Sequence, residues 1–171
     1  MTQNTLKIQK IRDVKTPTRA YATDAGIDFY IPNKLKAADF GLQYSCKLIT
    51  DYATGLIMSI LVKPHTSVLI PSGIKVAVPD NYALVFFNKS GVATKKHLDV
   101  GACVVDSGYR NEVHIHLTNT SIEDVWIKPG DKIIQGIVLP ISTCVPELID
   151  DIDALGPTDR GMGGFGSTGT K

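Results

Sequence analysis

The feature that most constrains the fold is a series of short β-rich runs, separated by turn sequences, in a chain with little helical periodicity. Ile74, Val76 and Val78 alternate with other residues, and residues 113–117 repeat this period of two, which is typical of strands with one buried face. Clusters of turn-forming residues separate the runs at 71–73, 79–81 and 128–131. The sequence therefore predicts an all-β antiparallel sandwich or barrel with one short helix near residues 92–97.

Composition excludes several functional classes. The 171 residues are 43% hydrophobic and 20% charged, which indicates one globular domain. A net charge of +1 provides no overall field for nucleic acid or membranes, so local groups must hold any bound anion. The three cysteines are widely spaced and include no C-x-x-C pair, which favours reduced thiols. Without an N-terminal apolar leader or a spanning run of 18 apolar residues, we expect a cytoplasmic or nuclear protein.

Residues 35–63 differ from the rest of the chain. Two apolar runs flank Asp51–Gly55, which predicts a hairpin with its turn at these residues. Leu56–Val62 is long and apolar, so it would be a partner surface or an aggregation hazard if exposed. We expect burial in the core or a subunit contact for this run.

The last twelve residues contain five glycines and cannot build a core. Their composition fits a disordered terminus, as most chain ends are poorly ordered. It also fits an arm that curls backbone N–H groups and hydroxyls around an anion. Arg160 and Phe165 favour the arm, because a spacer needs neither. The spacing from Gly161 to Thr168 lacks the lysine and the following helix of a P-loop.

Three internal segments carry groups suited to chemistry, although each also fits an ordinary turn. Asp24 and Asp28 flank a glycine and either cap the turn or reach Mg²⁺ through water. Residues 88–91 combine a cation, a hydroxyl and a flexible backbone at the start of the predicted helix, which suits a phosphate. Asp106 follows an apolar strand in a turn that also presents Tyr109. His114 and His116 share one strand face, and we expect polar surface positions there rather than a metal pair.

Taken in order, five segments resemble the five successive motifs of the trimeric dUTPase family: residues 24–30, 89–93, 99–110, 130–135 and 160–169. The resemblance runs from about residue 5 to the C-terminus, except at 35–63, which is longer than the family usually has. It implies a jelly-roll-like dUTPase β-barrel with one short helix and a flexible Gly-rich C-terminal arm. It also implies homotrimers with three active sites, each shared between all three chains.

The reaction that the resemblance implies is hydrolysis of dUTP to dUMP and diphosphate, with Mg²⁺ on the triphosphate. This reaction keeps uracil out of DNA and supplies dUMP for dTMP synthesis. By the resemblance, Asp106 would activate the attacking water, and Tyr109 would pack under the deoxyribose and exclude a 2′-OH. Asp28 would reach the metal through water.

The remaining site residues implied by the resemblance bind the substrate. Backbone groups of the hairpin at Cys103, Val104 and Val105 would read uracil. The phosphates would be held by Lys89, Ser90, Gly91 and Gln135. In the arm, Phe165 would stack over the base. The γ-phosphate would be bound by Arg160, Gly166, Ser167 and Thr168.

The implied organisation is a β-fold domain at 1–159, with an insertion-like region at 35–63, and an active-site arm at 160–171. Several positions depart from the family pattern. Lys89 and Lys132 stand where arginine is usual, which replaces a bidentate fork by a point charge. Cys103 replaces a glycine in the uracil hairpin, where its side chain either crowds the base or points away. Asn111 replaces another glycine but tolerates left-handed backbone.

Two rival readings remain. The dCTP deaminases share this fold, but the turn at 105–109 fits the dUTPases better. Alternatively, the chain is a catalytically weak relative that serves as a dUTP-sensing or partner-binding module. The long region 35–63 motivates that reading and predicts a protein partner there.

Overall fold

The computed structural model describes residues 5–41, 46–164 and 167. Within these ranges the chain forms twelve strands, one α-helix and two 3-10 helices. The strands are β1 (Lys7–Lys10), β2 (Ile27–Tyr30), β3 (Cys46–Thr50), β4 (Ile57–Val62), β5 (Ser67–Pro71), β6 (Ile74–Ala77), β7 (Tyr82–Asn88), β8 (Leu98–Gly101), β9 (Val104–Val105), β10 (His114–Asn119), β11 (Val125–Ile127) and β12 (Lys132–Pro140). The helix is α1 (Ser90–Lys96), and the 3-10 helices span Ala37–Phe40 and Ile152–Leu155.

The predicted all-β class is confirmed, and every strand pair is antiparallel. The described strands form four sheets rather than one closed barrel, in the orders β1-β6, β5-β10-β8, β11-β4-β3 and β2-β12-β7-β9. This arrangement is consistent with a jelly-roll-like fold. Helix α1 begins two residues before the predicted position and ends at Lys96, where the C-cap residue His97, with a left-handed φ of 51°, stops it.

The core follows the alternation in the sequence. In β10, Ile115 and Leu117 are fully buried, whereas His114 and His116 on the opposite face are half-buried. At the centre, the rings of Phe29 and Phe86 meet edge to face with centroids 4.9 Å apart. A Cβ at position 136 would lie 2.8 Å from Leu84 and about 3.1 Å from Phe29, so this place in β12 requires a glycine.

Region 35–63 contains the predicted hairpin. Strand β3 pairs with β4, and Asp51 turns the chain by accepting a hydrogen bond from the Thr54 N–H at 2.8 Å. Strand β4 also pairs with β11, and Ile60 and Val62 on it are completely buried. The apolar run at 56–62 therefore belongs largely to the core, which confirms burial as its main role. Among the described residues of this region, the large apolar side chains that remain exposed are Tyr52 at the tip and Met58 on β4.

After β12 the chain leaves the sheets. Residues 141–164 are almost all exposed, including the apolar side chains of Val145, Leu148 and Leu155. No helix among the described residues has the length and apolar character needed to cross a membrane.

Candidate functional site

The sheet β2-β12-β7-β9 positions four of the five predicted motifs. Asp28 lies on β2 directly opposite Gln135 of β12. Lys89 follows the last residue of β7, and Asp106 follows β9. One sheet thus carries residues that are up to 107 positions apart in sequence, from Asp28 to Gln135.

Asp28, Lys89, Lys132 and Gln135 form a group that we call the cradle. The Asp28 side chain is 7% exposed; one carboxylate oxygen contacts Lys89 Nζ and the other lies 3.0 Å from Lys132 Nζ. Burial alone would raise the pKa of Asp28, but the hydrogen bonds from the two lysines outweigh it and lower that pKa. The hydrogen bond to Asp28 in turn raises the pKa of Lys132. Two cations and one buried anion leave the cradle with a positive charge.

The backbone around the cradle is shaped to hold Gln135. Its Nε2 donates to the Asn88 carbonyl at 2.9 Å, and a Cβ at position 26 would lie only 2.1 Å from its Oε1. A larger residue at position 26 would therefore force the Gln135 side chain out of this position, a constraint that the sequence did not reveal. Asp24 instead caps its turn, accepting from the Tyr21 N–H at 2.9 Å, so the capping interpretation is confirmed for this residue.

Helix α1 begins at the edge of the cradle. The N–H groups of Val92 and Ala93 both donate to the Lys89 carbonyl at 2.9 Å. The N–H groups of Ser90 and Gly91 come before Val92, the first intrahelical donor, and both residues are exposed. Lys89 contacts Asp28, and Ser90 and Gly91 follow it directly at the start of the helix.

A second group surrounds a pocket of about 190 Å³ beside β9, which we call the β9 pocket. Its lining residues are Leu69, Ala102, Val104, Val105, Asp106, Tyr109, Val113 and His114. Val104 is 60% exposed and, with Leu69, contributes apolar surface to the lining of the pocket. Asp106 lies exposed in the lining, so its carboxylate is accessible to water.

The turn after β9 is held by its own hydrogen bonds. The Tyr109 N–H donates to the Asp106 carbonyl at 3.1 Å, and the Tyr109 hydroxyl donates to the Glu112 carbonyl at 2.8 Å. These bonds fix the ring of Tyr109 relative to Asp106. The structure therefore brings the predicted catalytic aspartate and the predicted sugar-packing tyrosine into one pocket.

Cys103 is not among the residues that line the β9 pocket. Its side chain is partly buried and packs against the core, while its carbonyl accepts from the Phe86 N–H at 2.8 Å. The side chain therefore points away from the pocket. Sequence reasoning missed four lining residues: Ala102, which directly precedes the predicted hairpin residues, and Leu69, Val113 and His114, which the pairing of β5 with β10 brings there.

The cradle and the β9 pocket lie at opposite ends of β7 within one chain. Val105 pairs with Leu84 near the start of β7, whereas Lys89 follows Asn88 at its end. At about 3.4 Å per residue, Leu84 and Asn88 are roughly 14 Å apart. A single chain therefore does not bring Asp106 and Lys89 together.

The C-terminal arm contributes two described candidates, Arg160 and Ser167, and both are exposed. The Ser167 N–H donates to the Gly164 carbonyl at 3.1 Å, which forms a local turn. Neither residue lines the β9 pocket of its own chain. Phe165, Gly166 and Thr168 lie outside the described residues.

Among the described residues, no group of three or more His, Cys, Asp or Glu side chains is placed to hold a metal ion. The His114 Nδ1 lies 3.0 Å from the Glu112 carbonyl, and since that oxygen only accepts, Nδ1 carries the proton. The buried Nδ1 of His116 has no partner within the described ranges. A metal at Asp28 would compete with its two lysines.

Comparison with known proteins gives consistent results. The dUTPase family model matches residues 56–169. The deoxyuridine 5′-triphosphate nucleotidohydrolase of Oryza sativa subsp. japonica is 37% identical over 71% of this chain and 70% of its own. That of Solanum lycopersicum is 32% identical over 99% of this chain and 94% of its own.

The fold is shared with solved structures at lower identity. A mutant dUTPase of Staphylococcus bacteriophage 80alpha, solved with dUpNHpp, has a TM-score of 0.74 at 20% identity and covers 98% of this chain and 99% of its own. The dUTPase of phage phi11 of S. aureus has a TM-score of 0.68 at 20% identity, covering 88% of this chain and 99% of its own. The family match extends over most of the chain and includes Asp106 and residues 160–169 of the arm. The chain therefore belongs to the dUTPase family.

Proposed function

We propose that this protein hydrolyses dUTP to dUMP and diphosphate. The observation that carries the proposal is the placement of an accessible carboxylate, Asp106, beside Tyr109 in an apolar pocket. The relatives from Oryza sativa and Solanum lycopersicum are named for this activity. The pocket residues and the cradle supply the two functions that the reaction needs, a base for water and cations for phosphates.

In the proposed mechanism, Asp106 accepts a proton from a water molecule as that water attacks the α-phosphorus. The bond from this phosphorus to the bridging oxygen breaks, and diphosphate leaves. The apolar wall formed by Val104 and Leu69 faces the base, while the backbone of β9 reads its polar edge. The ring of Tyr109 packs against the sugar.

The cradle binds the phosphates in this proposal. Lys89 and Lys132 are held in place by Asp28, so their charges are oriented before the substrate arrives. Cations fixed in advance stabilise the negative charge that develops on the leaving diphosphate. Gln135 and the first N–H groups of α1, at Ser90 and Gly91, add neutral donors for phosphate oxygens.

Mg²⁺ enters the proposal as part of the substrate, bound to the triphosphate. Mg²⁺ usually binds through one or two carboxylates together with substrate phosphates. As found here, Asp28 does not fit a resident ion, because both its oxygens contact ammonium groups. Water-mediated contact between Asp28 and Mg²⁺ stays a prediction and requires at least one lysine to turn towards the phosphates.

A complete active site requires more than one chain, and we propose a homotrimer with shared sites. The supporting observation is the separation of Asp106 from Lys89 along β7. A cradle from one chain would meet a β9 pocket from its neighbour. The exposed apolar residues after β12, such as Val145 and Leu148, fit a segment that packs on another subunit.

The segment 160–171 is proposed to act as the active-site arm of the domain 1–159. Arg160 and Ser167 are exposed and free to meet the γ-phosphate of a substrate bound elsewhere in the oligomer. Closure of such an arm would exclude water and complete the site. Deleting 160–171 is expected to leave a folded oligomer that has lost nearly all turnover, and retained hydrolysis would contradict this role.

The direct test is diphosphate release from dUTP, dTTP, dCTP and UTP, with nucleotide products identified by chromatography. We expect dUTP to be the best substrate by a wide margin. Deamination of dCTP would instead indicate a dCTP deaminase. Absence of turnover with all four nucleotides would overturn the proposed hydrolysis.

Partner binding is a second candidate function, favoured by the hairpin of region 35–63. Its tip exposes Tyr52 completely, and Met58 on β4 is 59% exposed. Pull-down with and without dUTP, beside the diphosphate assay, separates the two functions. Tight capture of a partner that Tyr52→Ser abolishes, with negligible turnover, would favour the binding module.

A further inference from the structure

Glu112 binds two separate parts of the chain through its carboxylate. Oε1 accepts from Arg12 Nε at 2.8 Å and from the Gly73 N–H at 2.7 Å, while Oε2 accepts from Arg12 Nη2 at 3.0 Å. The side chain is only 13% exposed. Such a bidentate, partly buried pair has a more specific geometry than an exposed one. Glu112 is thereby fastened both to the segment after β1 and to the β5–β6 turn.

The position at Gly73 is adapted to this arrangement. Its φ is +72°, and a Cβ there would lie 2.9 Å from the Cβ of Arg12. A larger residue would therefore displace Arg12 from Glu112. The close approach indicates that the backbone of the β5–β6 turn is shaped to accommodate the Arg12–Glu112 contact.

Arg12 extends the contact to region 35–63. Its Nη1 donates to Asp39 Oδ1 at 2.8 Å, and Asp39 Oδ2 accepts from the Lys36 N–H at 2.7 Å. Hydrogen bonds to Glu112, followed by those to Asp39, raise the pKa of Arg12. Arg12 therefore stays charged and joins the 3-10 helix of region 35–63 to the segment that follows the turn at residues 106–109, which we call the catalytic turn.

The main chain of Glu112 holds the catalytic turn itself. Its carbonyl accepts from the Tyr109 hydroxyl at 2.8 Å and from His114 Nδ1 at 3.0 Å. Both donors belong to residues that line the β9 pocket. One residue thus fixes the pocket through its carbonyl and is itself fixed through its carboxylate.

We propose that Glu112 is a positioning residue for sugar selection: clamped by Arg12 and Gly73, it holds the Tyr109 ring where a ribose 2′-OH would clash. The proposal rests on the proposed hydrolysis of dUTP. Weakening the contacts of Glu112 with Arg12 and Gly73 should let the Tyr109 ring move away from the sugar. This movement would weaken binding of the deoxyribose and relieve the steric clash with ribose. The characteristic effect is therefore a change in the preference for dUTP over UTP.

The test compares kcat and KM for dUTP and UTP in wild type, Glu112→Gln and Arg12→Lys, with Glu123→Gln as the matched control at an exposed glutamate. Glu112→Gln keeps an acceptor for Gly73 but loses the ion pair. We expect the ratio of kcat/KM for dUTP to that for UTP to fall about five-fold or more, mainly through a higher KM for dUTP. Asp39→Asn should act in the same direction but more weakly.

Tyr109→Phe provides an independent readout, because it removes the hydroxyl but keeps the ring. It should reproduce the loss of sugar preference, and its combination with Glu112→Gln should be clearly less than additive. A uniform loss of rate with an unchanged dUTP to UTP ratio would overturn the positioning role. An inactive wild type would instead overturn the proposed function, and the positioning role with it. If Glu112→Gln fails to fold, Arg12→Lys and Tyr109→Phe decide the question.

Discussion

The β9 pocket and the cradle occupy opposite ends of β7 and are built differently. The pocket presents apolar walls, one exposed carboxylate and backbone held by turn hydrogen bonds. In the cradle, two lysine charges, one after the end of β7 and one at the start of β12, meet at a buried aspartate of β2. A base and a sugar are recognised by shape and backbone groups, whereas a phosphate chain is recognised by charge. Because no residue of the β9 pocket can replace one of the cradle, we expect substitutions in these two half-sites to have different effects.

The largest expected effect belongs to the pocket. Asp106→Asn should lower kcat for dUTP about 10³-fold, because it removes the proposed general base while keeping the shape of the side chain. KM and thermal stability should change little, since the side chain is exposed. Steady-state diphosphate release and a thermal melt measure both, with Asp80→Asn at an exposed turn as the control. A kcat within a few-fold of wild type would show that Asp106 is not the base.

Asp28→Asn in the cradle should instead lower stability, by about 2 kcal/mol at pH 7, because two partly exposed lysines lose their charged hydrogen-bond partner. The pKa of Asp28 is lowered in the folded protein from its usual 3.8. Its contribution is therefore present above about pH 4 and is lost as the pH falls further. Urea unfolding at a fixed protein concentration, at pH 7 and near pH 3, should show the gap to wild type closing in acid.

The matched control for this prediction is Asp13→Asn, which removes an exposed ion pair with Lys34. Its effect should stay within about 0.5 kcal/mol. An Asp28→Asn protein as stable as wild type at pH 7 would contradict the account of the cradle as a charge cluster organised by one buried anion.

The smallest expected effect concerns Cys103. Because its side chain packs on the core, Cys103→Gly should cost about 1–2 kcal/mol of unfolding free energy while kcat/KM for dUTP stays within two-fold. The exposed Cys144→Ser serves as the control. A several-fold rise in dUTP affinity in Cys103→Gly would show that the thiol crowds the base after all.

Local pattern was sufficient to predict most of the strands and the hairpin turn at Asp51–Gly55, because alternation and turn residues act over a few positions, but it did not predict β8. It also singled out residues 24–28, 88–91 and 106–109 as suited to chemistry, whereas Lys132 and Gln135 followed from the family resemblance. It did not predict that Asp106 and Lys89 lie at opposite ends of β7, since this depends on the antiparallel register between distant strands. The direction of the Cys103 side chain likewise could not be predicted from the sequence, because it depends on how the core packs.

The contacts of Arg12 illustrate the same limit. Arg12 and Glu112 are 100 residues apart, and neither stands out in its own segment. Their pairing depends on the β5–β6 turn, where the absence of a side chain at Gly73 lets the segment that carries Arg12 approach. Similarly, the need for glycine at position 26 appears only once Gln135 is placed opposite β2.

The central claim is that one chain contains two separate half-sites, which neighbouring chains complete. Mixing Asp106→Asn subunits with Lys89→Ala/Ser90→Ala subunits by co-refolding tests it directly. Each variant alone should be nearly inactive, yet random mixing at equal amounts should restore about a quarter of wild-type sites, since half of the cradles and half of the pockets are intact. Activity no greater than the average of the two separate variants would contradict a site shared between chains.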